Sequence, residues 1–248
     1  MRTTSTGSAS RSTLAVQPRG ITPKMFLYNL VQQAKIDRKH IVLPEGDDER
    51  ILRAAEVLVN RDIVDLTILG NPAEVWTSIQ RLGLQIDPSQ VQVVEPARSP
   101  WFQDFAETLV ELRKHKGINI DMAADLMSDV SYFGTMMVYK GLADGMVSGA
   151  AHTTQHTIRP ALQFVKTKPD VSVVSSVFFM ALPDKVLVYG DCAVVPNPTA
   201  PELAAIAISS ADTARAFGIE PLVALLSYST GESGQGADVE RVREATLL

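Results

Sequence analysis

From residue 25 onward, short apolar runs alternate with stretches of helical period. KMFLYNLVQQAKI sets Met25, Phe26, Leu30, Val31 and Ile36 at roughly helical spacing and predicts a first helix. HIVLPEG predicts a short buried strand over 40–44, stopped by Pro44 and Gly46. DDERILRAAEVLVNRD predicts a helix with acids at its start, where they complement the helix dipole. VDLTILGNP follows as strand and turn, PAEVWTSIQRLG as a helix and VQVVEP as a third strand. Strand, helix, strand in this order predicts parallel pairing with right-handed crossovers.

Helical patterns fill 101–141, with a break near Gly117. DGMVSGAAH predicts a strand that runs from Met146 into a Ser-Gly-Ala turn. TTQHTIRPALQFVKT predicts a helix opened by Thr153 or Thr154 and kinked or restarted at Pro160. Two β runs, VSVVSSVFFMA and KVLVYGD, are joined by LPDK and predict a hairpin, so the second half is not all parallel. TAPELAAIAISSADTARAFG predicts a long amphipathic helix with Pro201 near its start, where proline is tolerated. PLVALLSYS predicts a strongly buried strand, STGESGQGAD a glycine-rich loop, and VERVREATLL a helix in which the sequence ends.

Composition narrows the picture. With 248 residues, 46% hydrophobic and 21% charged, the chain suits a soluble globular protein of one large or two small domains. It has no apolar run of eighteen residues, so no membrane span is expected. The net charge of −5 argues against an extended nucleic-acid surface but leaves room for a few arginines around a small anion. The single cysteine, Cys192, excludes an internal disulfide or a multi-cysteine metal site and fits a reducing, cytoplasmic setting. Residues 1–20 are rich in Ser, Thr and Arg, and the first acid is Asp37. This predicts a tail or linker over 1–21, with an organellar transit peptide as the alternative.

Two loops carry candidate chemistry. In the first, PLVALLSYS leads through Ser229, Thr230 and Gly231 to a helix, and such a turn offers amides to an anion. It lacks the Gly-Lys-Ser/Thr of a Walker A loop, and its glycines are misordered for a dinucleotide fingerprint. The alternative is a plain loop capping a helix. In the second, VSGAAHTTQHTIRP, Ser148, Gly149, His152 and Thr153 sit on the turn, with Arg159 further along the helix. Hydroxyls, amides and one arginine suit a phosphate or an acyl oxygen. The alternative makes Thr153 an N-cap and Arg159 a surface residue.

The remaining candidates read as structural. His152 and His156 have zincin spacing, but TTQ between them supplies no glutamate and no third ligand is evident. Cys192 and Ser229 lack the surroundings of a nucleophile. Asp47, Asp48 and Glu49 suit a helix cap better than a Mg²⁺ site. The cations of ELRKHKG suit a helix C-terminus, although Arg113 also has the chemistry to hold phosphate.

Several long motifs stand in one order: IVLPEGDDER, ILGNPAEV, ELRKHKG, DGMVSGAAHTTQHTIRPALQFVKT, SSVFFMALPDKVLVYGDCAVVPNPTAPELA and ALLSYSTGESGQGADVERVREAT. Together they resemble the phosphate acetyl/butyryl transferase family over about residues 22–248. The resemblance implies reversible transfer of acetyl between acetyl phosphate and coenzyme A, with no metal or resident cofactor. It implies two α/β domains with a cleft between them, similar to isocitrate and isopropylmalate dehydrogenases, divided here as 22–158 and 159–248. A homodimer or larger assembly is expected, with no nucleic-acid or membrane partner. Arg113 and Arg159 match arginines that the family uses for its phosphorylated substrates, and the SGAAHTT and STGESGQG segments match parts that face the cleft.

The family completes its site with a later Asn-Asp-Leu-Ser-Arg-Gly run, whose aspartate takes the proton from the coenzyme A thiol. That run is not in this sequence, so the base is expected beyond Leu248, the second domain incomplete, and the chain nearly inactive alone. Rival readings are a phosphate butyryltransferase and a non-catalytic acetyl-CoA-sensing domain like that fused to some malic enzymes. A decarboxylating NAD-dependent dehydrogenase shares the implied fold, but its metal-binding aspartates and adenosine site are not evident.

Overall fold

The structure is a computed structural model and describes residues 21–169, 171–230 and 233–248. The expected tail over residues 1–20, and Gly231, lie outside the described residues. In chain order the elements are α1 (Pro23–Ile36), β1 (Lys39–Leu43), α2 (Glu49–Arg61), β2 (Val64–Leu69), α3 (Pro72–Arg81), β3 (Val91–Val94), α4 (Phe102–Arg113), α5 (Ile120–Met127), α6 (Val130–Tyr139), β4 (Gly145–Met146), α7 (Thr154–Pro160), β5 (Val177–Ala181), β6 (Val186–Gly190), α8 (Ala200–Ala216) and α9 (Ala237–Leu247).

Four strands form a parallel sheet in the order β3-β2-β1-β4. Side chains alternate across its two faces. Leu43, Leu66, Ile68 and Val91 face a core completed by Leu52 of α2 and by Val75 and Ile79 of α3. Val42, Leu69 and Val94 face the other core, filled by Phe105, Leu109, Phe133 and Met136. Cover on both faces explains why these strands read as continuous apolar runs. The α/β class and the parallel pairing follow the sequence reading. The helical stretch after Gly117 is cut a second time, at Ser128, because Asp129 caps α6 through the amides of Ser131 and Tyr132 at 2.9 and 3.1 Å.

The second part opens on the expected hairpin. Strands β5 and β6 pair antiparallel from Val177↔Gly190 to Ala181↔Val186. Helix α8 starts in a capping box: the Glu202 amide donates to Thr199 Oγ1 at 3.4 Å, and the Thr199 amide donates back to Glu202 Oε2 at 2.8 Å. Phe26 of α1 is buried against Phe179 and Phe217, with ring centroids 5.3 and 6.3 Å apart. The first helix is thereby tied to the hairpin side, across the boundary expected at residue 158.

One expectation fails outright. PLVALLSYS forms no strand, and it is not buried: Leu222 is 100% and Leu226 84% exposed. The apolar run lacks a ladder to join, since the sheet of the second part contains only β5 and β6 among the described residues. An extended segment without a neighbouring strand cannot satisfy its backbone groups in an apolar interior. At Pro160 the departure is as expected, because α7 gives way to a π-helical turn over Ala161–Val165.

Candidate functional site

The best-organised polar cluster sits at the carboxyl edge of the parallel sheet. Strands β1 and β4 lie side by side with Ile41 opposite Gly145 and Val42 opposite Met146. Residues a few positions beyond each strand therefore meet. Beyond β1 comes Glu45; beyond β4 comes the turn 148–152. The Glu45 side chain is buried and its carboxylate is fully engaged. Its Oε2 accepts from the amides of Gly149 and Ala150 at 3.0 and 2.8 Å. Its Oε1 accepts from the amides of Ala151 and His152 at 2.8 and 2.9 Å and lies 2.8 Å from His152 Nδ1. Burial pushes the carboxyl upward, but the Ala151, His152 and Ala150 amides and the His152 ring outweigh it and hold the pKa at about 2.

Close packing beneath Glu45 fixes its backbone. The Gly46 amide donates to the Leu69 carbonyl at 3.1 Å, and a Cβ at Gly46 would lie 2.5 Å from that same oxygen and 2.6 Å from Ile68 Cγ2. Gly46→Ala is therefore expected to lower stability by about 1–2 kcal/mol, read as a lower urea midpoint at unchanged slope.

Around this lock the histidines are ordered by carboxylates. His152 Nδ1 faces Glu45, and His156 Nε2 lies 2.9 Å from Asp129 Oδ2. The rings stack at 4.8 Å between centroids and 19° between planes. No group of three or more His, Cys, Asp or Glu side chains among the described residues is placed to hold a metal. Arg50, ion-paired with Asp48 at 2.7 Å, also donates to the Ala150 carbonyl. Asp48 is the N-cap of α2, as the acidic start of that helix suggested.

Ser148 Oγ lies 3.3 Å from Thr157 Oγ1, and Thr153 caps α7 by accepting from the His156 amide at 3.2 Å. Arg159 is exposed near the end of α7, and its side chain makes no ion pair or hydrogen bond to the described residues. Arg113 is half-buried at the end of α4 and donates to the Gln163 carbonyl at 3.4 Å, which ties it to the turn following α7. Ser148, Gly149, His152, Thr153 and Arg159 thus share one turn and helix, with Arg113 anchored behind.

Ser229 and Thr230 belong to a separate loop. There the Gly234 amide donates to Ser229 Oγ at 2.8 Å, and Tyr228 Oη–H donates to the Gln235 carbonyl at 2.8 Å. No hydrogen bond or ion pair among the described residues links this loop to the 148–159 segment. Cys192 is half-buried and its thiol donates to Ser176 Oγ at 3.1 Å, in keeping with a packing role.

Sequence reasoning missed Glu45, Asp129 and Arg50. The available signal for Glu45 was a charged residue between an apolar strand and the close-packed Gly46. A buried acid in that place needs donors from elsewhere. The amides of the 148–152 turn were read as donors for a ligand, but those of Gly149, Ala150, Ala151 and His152 already serve Glu45. What the turn leaves outward is side-chain chemistry.

A parallel sheet covered on both faces, with its polar turn at the carboxyl edge, defines an α/β fold of the kind that binds small ligands there. Comparison carries the assignment further: the chain belongs to the phosphate acetyl/butaryl transferase family, whose model matches residues 25–248. It is 59% identical over 233 residues to the phosphate acetyltransferase of Synechocystis sp., covering 94% of this chain and 33% of that protein. To the phosphate acetyltransferase of Nitratidesulfovibrio vulgaris it is 61% identical over 228 residues, covering 92% of this chain and 32% of that protein. The chain spans about a third of the length of these curated relatives. Among solved structures, a phosphotransacetylase from Streptococcus pyogenes superposes with a TM-score of 0.84 at 41% identity, covering 92% of this chain and 69% of that one. No helix among the described residues is long and apolar enough to cross a membrane.

Proposed function

We propose that this chain supplies the substrate-binding part of a phosphate acetyltransferase, which moves acetyl reversibly between acetyl phosphate and coenzyme A. One observation carries the reading: 59% identity across 94% of the chain to a protein named phosphate acetyltransferase. The coenzyme A thiolate attacks the acetyl carbonyl carbon directly within a ternary complex. The carbon–oxygen bond to phosphate breaks, and phosphate leaves with that electron pair. Both substrates bring their own reactive groups, so the proposed reaction draws on no resident cofactor.

In this reading Arg113 and Arg159 hold phosphorylated portions of the substrates through charge-assisted hydrogen bonds. Ser148, Gly149, His152 and Thr153 form one wall of the site; Ser229 and Thr230 belong to the other. The walls belong to two α/β domains, 22–158 and 159–248, facing across a cleft as in isocitrate and isopropylmalate dehydrogenases, with α1 reaching over to the second. The working unit is a homodimer or larger, in the cytoplasm. A thiol reacts as its thiolate and needs a base at neutral pH. No residue of this sequence is assigned that task, so turnover by the chain alone is expected to be low.

Titration of the purified chain with acetyl phosphate is expected to show binding that Arg159→Ala weakens about tenfold. Equal binding by the variant would remove the role given to Arg159. Phosphate-dependent acetyl-CoA formation by the chain is expected to fall about a hundredfold or more below that of a full-length relative. A matching rate would show that the base lies within these residues.

A further inference from the structure

The hydrogen-bond pattern at the carboxyl edge assigns a task to a residue that makes no contact with the outside. We propose that Glu45 is a positioning residue: by locking the 148–152 turn and engaging His152 Nδ1, it makes His152 Nε2 the atom that meets a phosphate oxygen of the substrate. This rests on the reading that the site takes a phosphorylated acyl compound.

A carboxylate only accepts, so the ring nitrogen 2.8 Å from Glu45 Oε1 carries the hydrogen, which fixes Nδ1 as N–H. The His152 amide donates to the same oxygen at 2.9 Å, so backbone and ring are held by one atom. One face of the ring stacks on His156, at 4.8 Å, and His156 is in turn held by Asp129 at 2.9 Å. The ring therefore has little rotational freedom left. Nε2 has no partner among the described residues, while the side chain keeps 29% of its surface open to solvent.

An imidazole nitrogen so placed accepts from a phosphate P–OH and, when protonated, donates to a phosphate oxygen. The charged groups nearby are Glu45 itself, Asp129 beyond His156, and the Arg50–Asp48 pair at the Ala150 carbonyl. Glu45 and Asp129 are occupied by their histidines, and Arg50 is occupied by Asp48 while it donates to the Ala150 carbonyl. Ser148 precedes the locked segment, and Thr153 and Arg159 follow it on the same turn and helix. The Glu45 lock fixes where these groups stand relative to His152.

The test reads the ring directly. Long-range proton–nitrogen NMR spectra of the ¹⁵N-labelled chain are expected to show His152 protonated at Nδ1, with the Nε2 signal moving as inorganic phosphate is added. His152→Ala is expected to weaken phosphate binding about tenfold in a chain that still folds, with stability lowered by about the 1–3 kcal/mol of one lost bond to a buried carboxylate. Glu45→Gln is expected to weaken it to a similar degree, and to release the fixed Nδ1–H form. The double variant should bind no more weakly than either single one, because both act through the same ring. If Glu45→Gln does not fold, the wild-type spectra and His152→Ala still decide.

An Nε2 signal indifferent to phosphate, or full phosphate affinity in His152→Ala, overturns the proposal. The two readings fail separately. Movement of His152 by phosphate without binding of acetyl phosphate or coenzyme A leaves the positioning role standing and removes the proposed activity. Unchanged acetyl phosphate binding in His152→Ala does the reverse.

Discussion

Glu45→Ala is expected to cost about 3–5 kcal/mol of stability, because it strips a buried acceptor from a full set of donors. The Gly149, Ala150, Ala151 and His152 amides would lose their partner together, and the His152 ring would be freed with them. Some of those amides would find water, which is why the cost stays below the sum of single losses. Urea unfolding of wild type and variant at neutral pH measures it; a difference under about 1 kcal/mol, the size of one ordinary hydrogen bond, would show that the turn holds without its lock.

The same group makes an acid-sensitive contribution whose sign is fixed. The folded-state pKa of Glu45 is held at about 2, below its ordinary value of 4.5. The stabilisation is therefore fully present above the ordinary value and is lost as pH falls toward the folded value, amounting to about 3 kcal/mol across that window. Stability compared at pH 7 and pH 3 should fall further in wild type than in Glu45→Ala. An equal fall in both would mean the carboxylate is not the group being protonated.

Asp191 is expected to be the second most costly acid to remove. It follows β6 and accepts from the Ser176 amide and hydroxyl at 2.7 and 2.8 Å, and from the Val194 and Val195 amides at 2.9 and 2.8 Å. Partial burial pushes its carboxyl up, but the Val195 amide and Ser176 outweigh this and hold it at about 2. Ser176 Oγ also accepts from the Cys192 and Ala193 amides at 3.2 and 3.0 Å, so the pair joins the start of the hairpin to the loop leading into α8. Asp191→Ala is expected to lower stability by about 2–3 kcal/mol, and Ser176→Ala by less, since the Val194 and Val195 bonds survive it. Thermal melts of the two variants check the order; Ser176→Ala being the worse would relocate the joint to the hydroxyl. As with Glu45, the Asp191 contribution is lost between its ordinary value of 3.8 and about 2 as pH falls.

The parts of the fold that were legible in the sequence are those fixed by neighbours along the chain. The rhythm of β1, β2 and β3 with α2 and α3 is local, as are the LPDK hairpin link and the helix start marked by Pro201. PLVALLSYS was misread because an apolar pattern reports that a segment is comfortable when buried, not that a strand stands beside it. The break before α6 was readable in principle, since Asp129 directly precedes an apolar helix, but the continuous helical period hid it.

The grouping of Ser148, His152, Thr153 and Arg159 was legible, because they share one stretch of chain. Glu45 was not, because its partners lie 104 to 107 positions away. Nor was the anchoring of Arg113, whose acceptor at Gln163 is a backbone carbonyl that any residue would offer.

The lock between Glu45 and the 148–152 turn also says something about motion. Surface turns between a strand and a helix are common hinges, but this one opens only if its bonds to a single carboxylate break together. Its amides should exchange hydrogen with solvent as slowly as those of the sheet beneath, despite lying at the protein's rim. In the proposed cleft, a closing movement around a ligand is then expected to pivot elsewhere, with this turn as the fixed jaw.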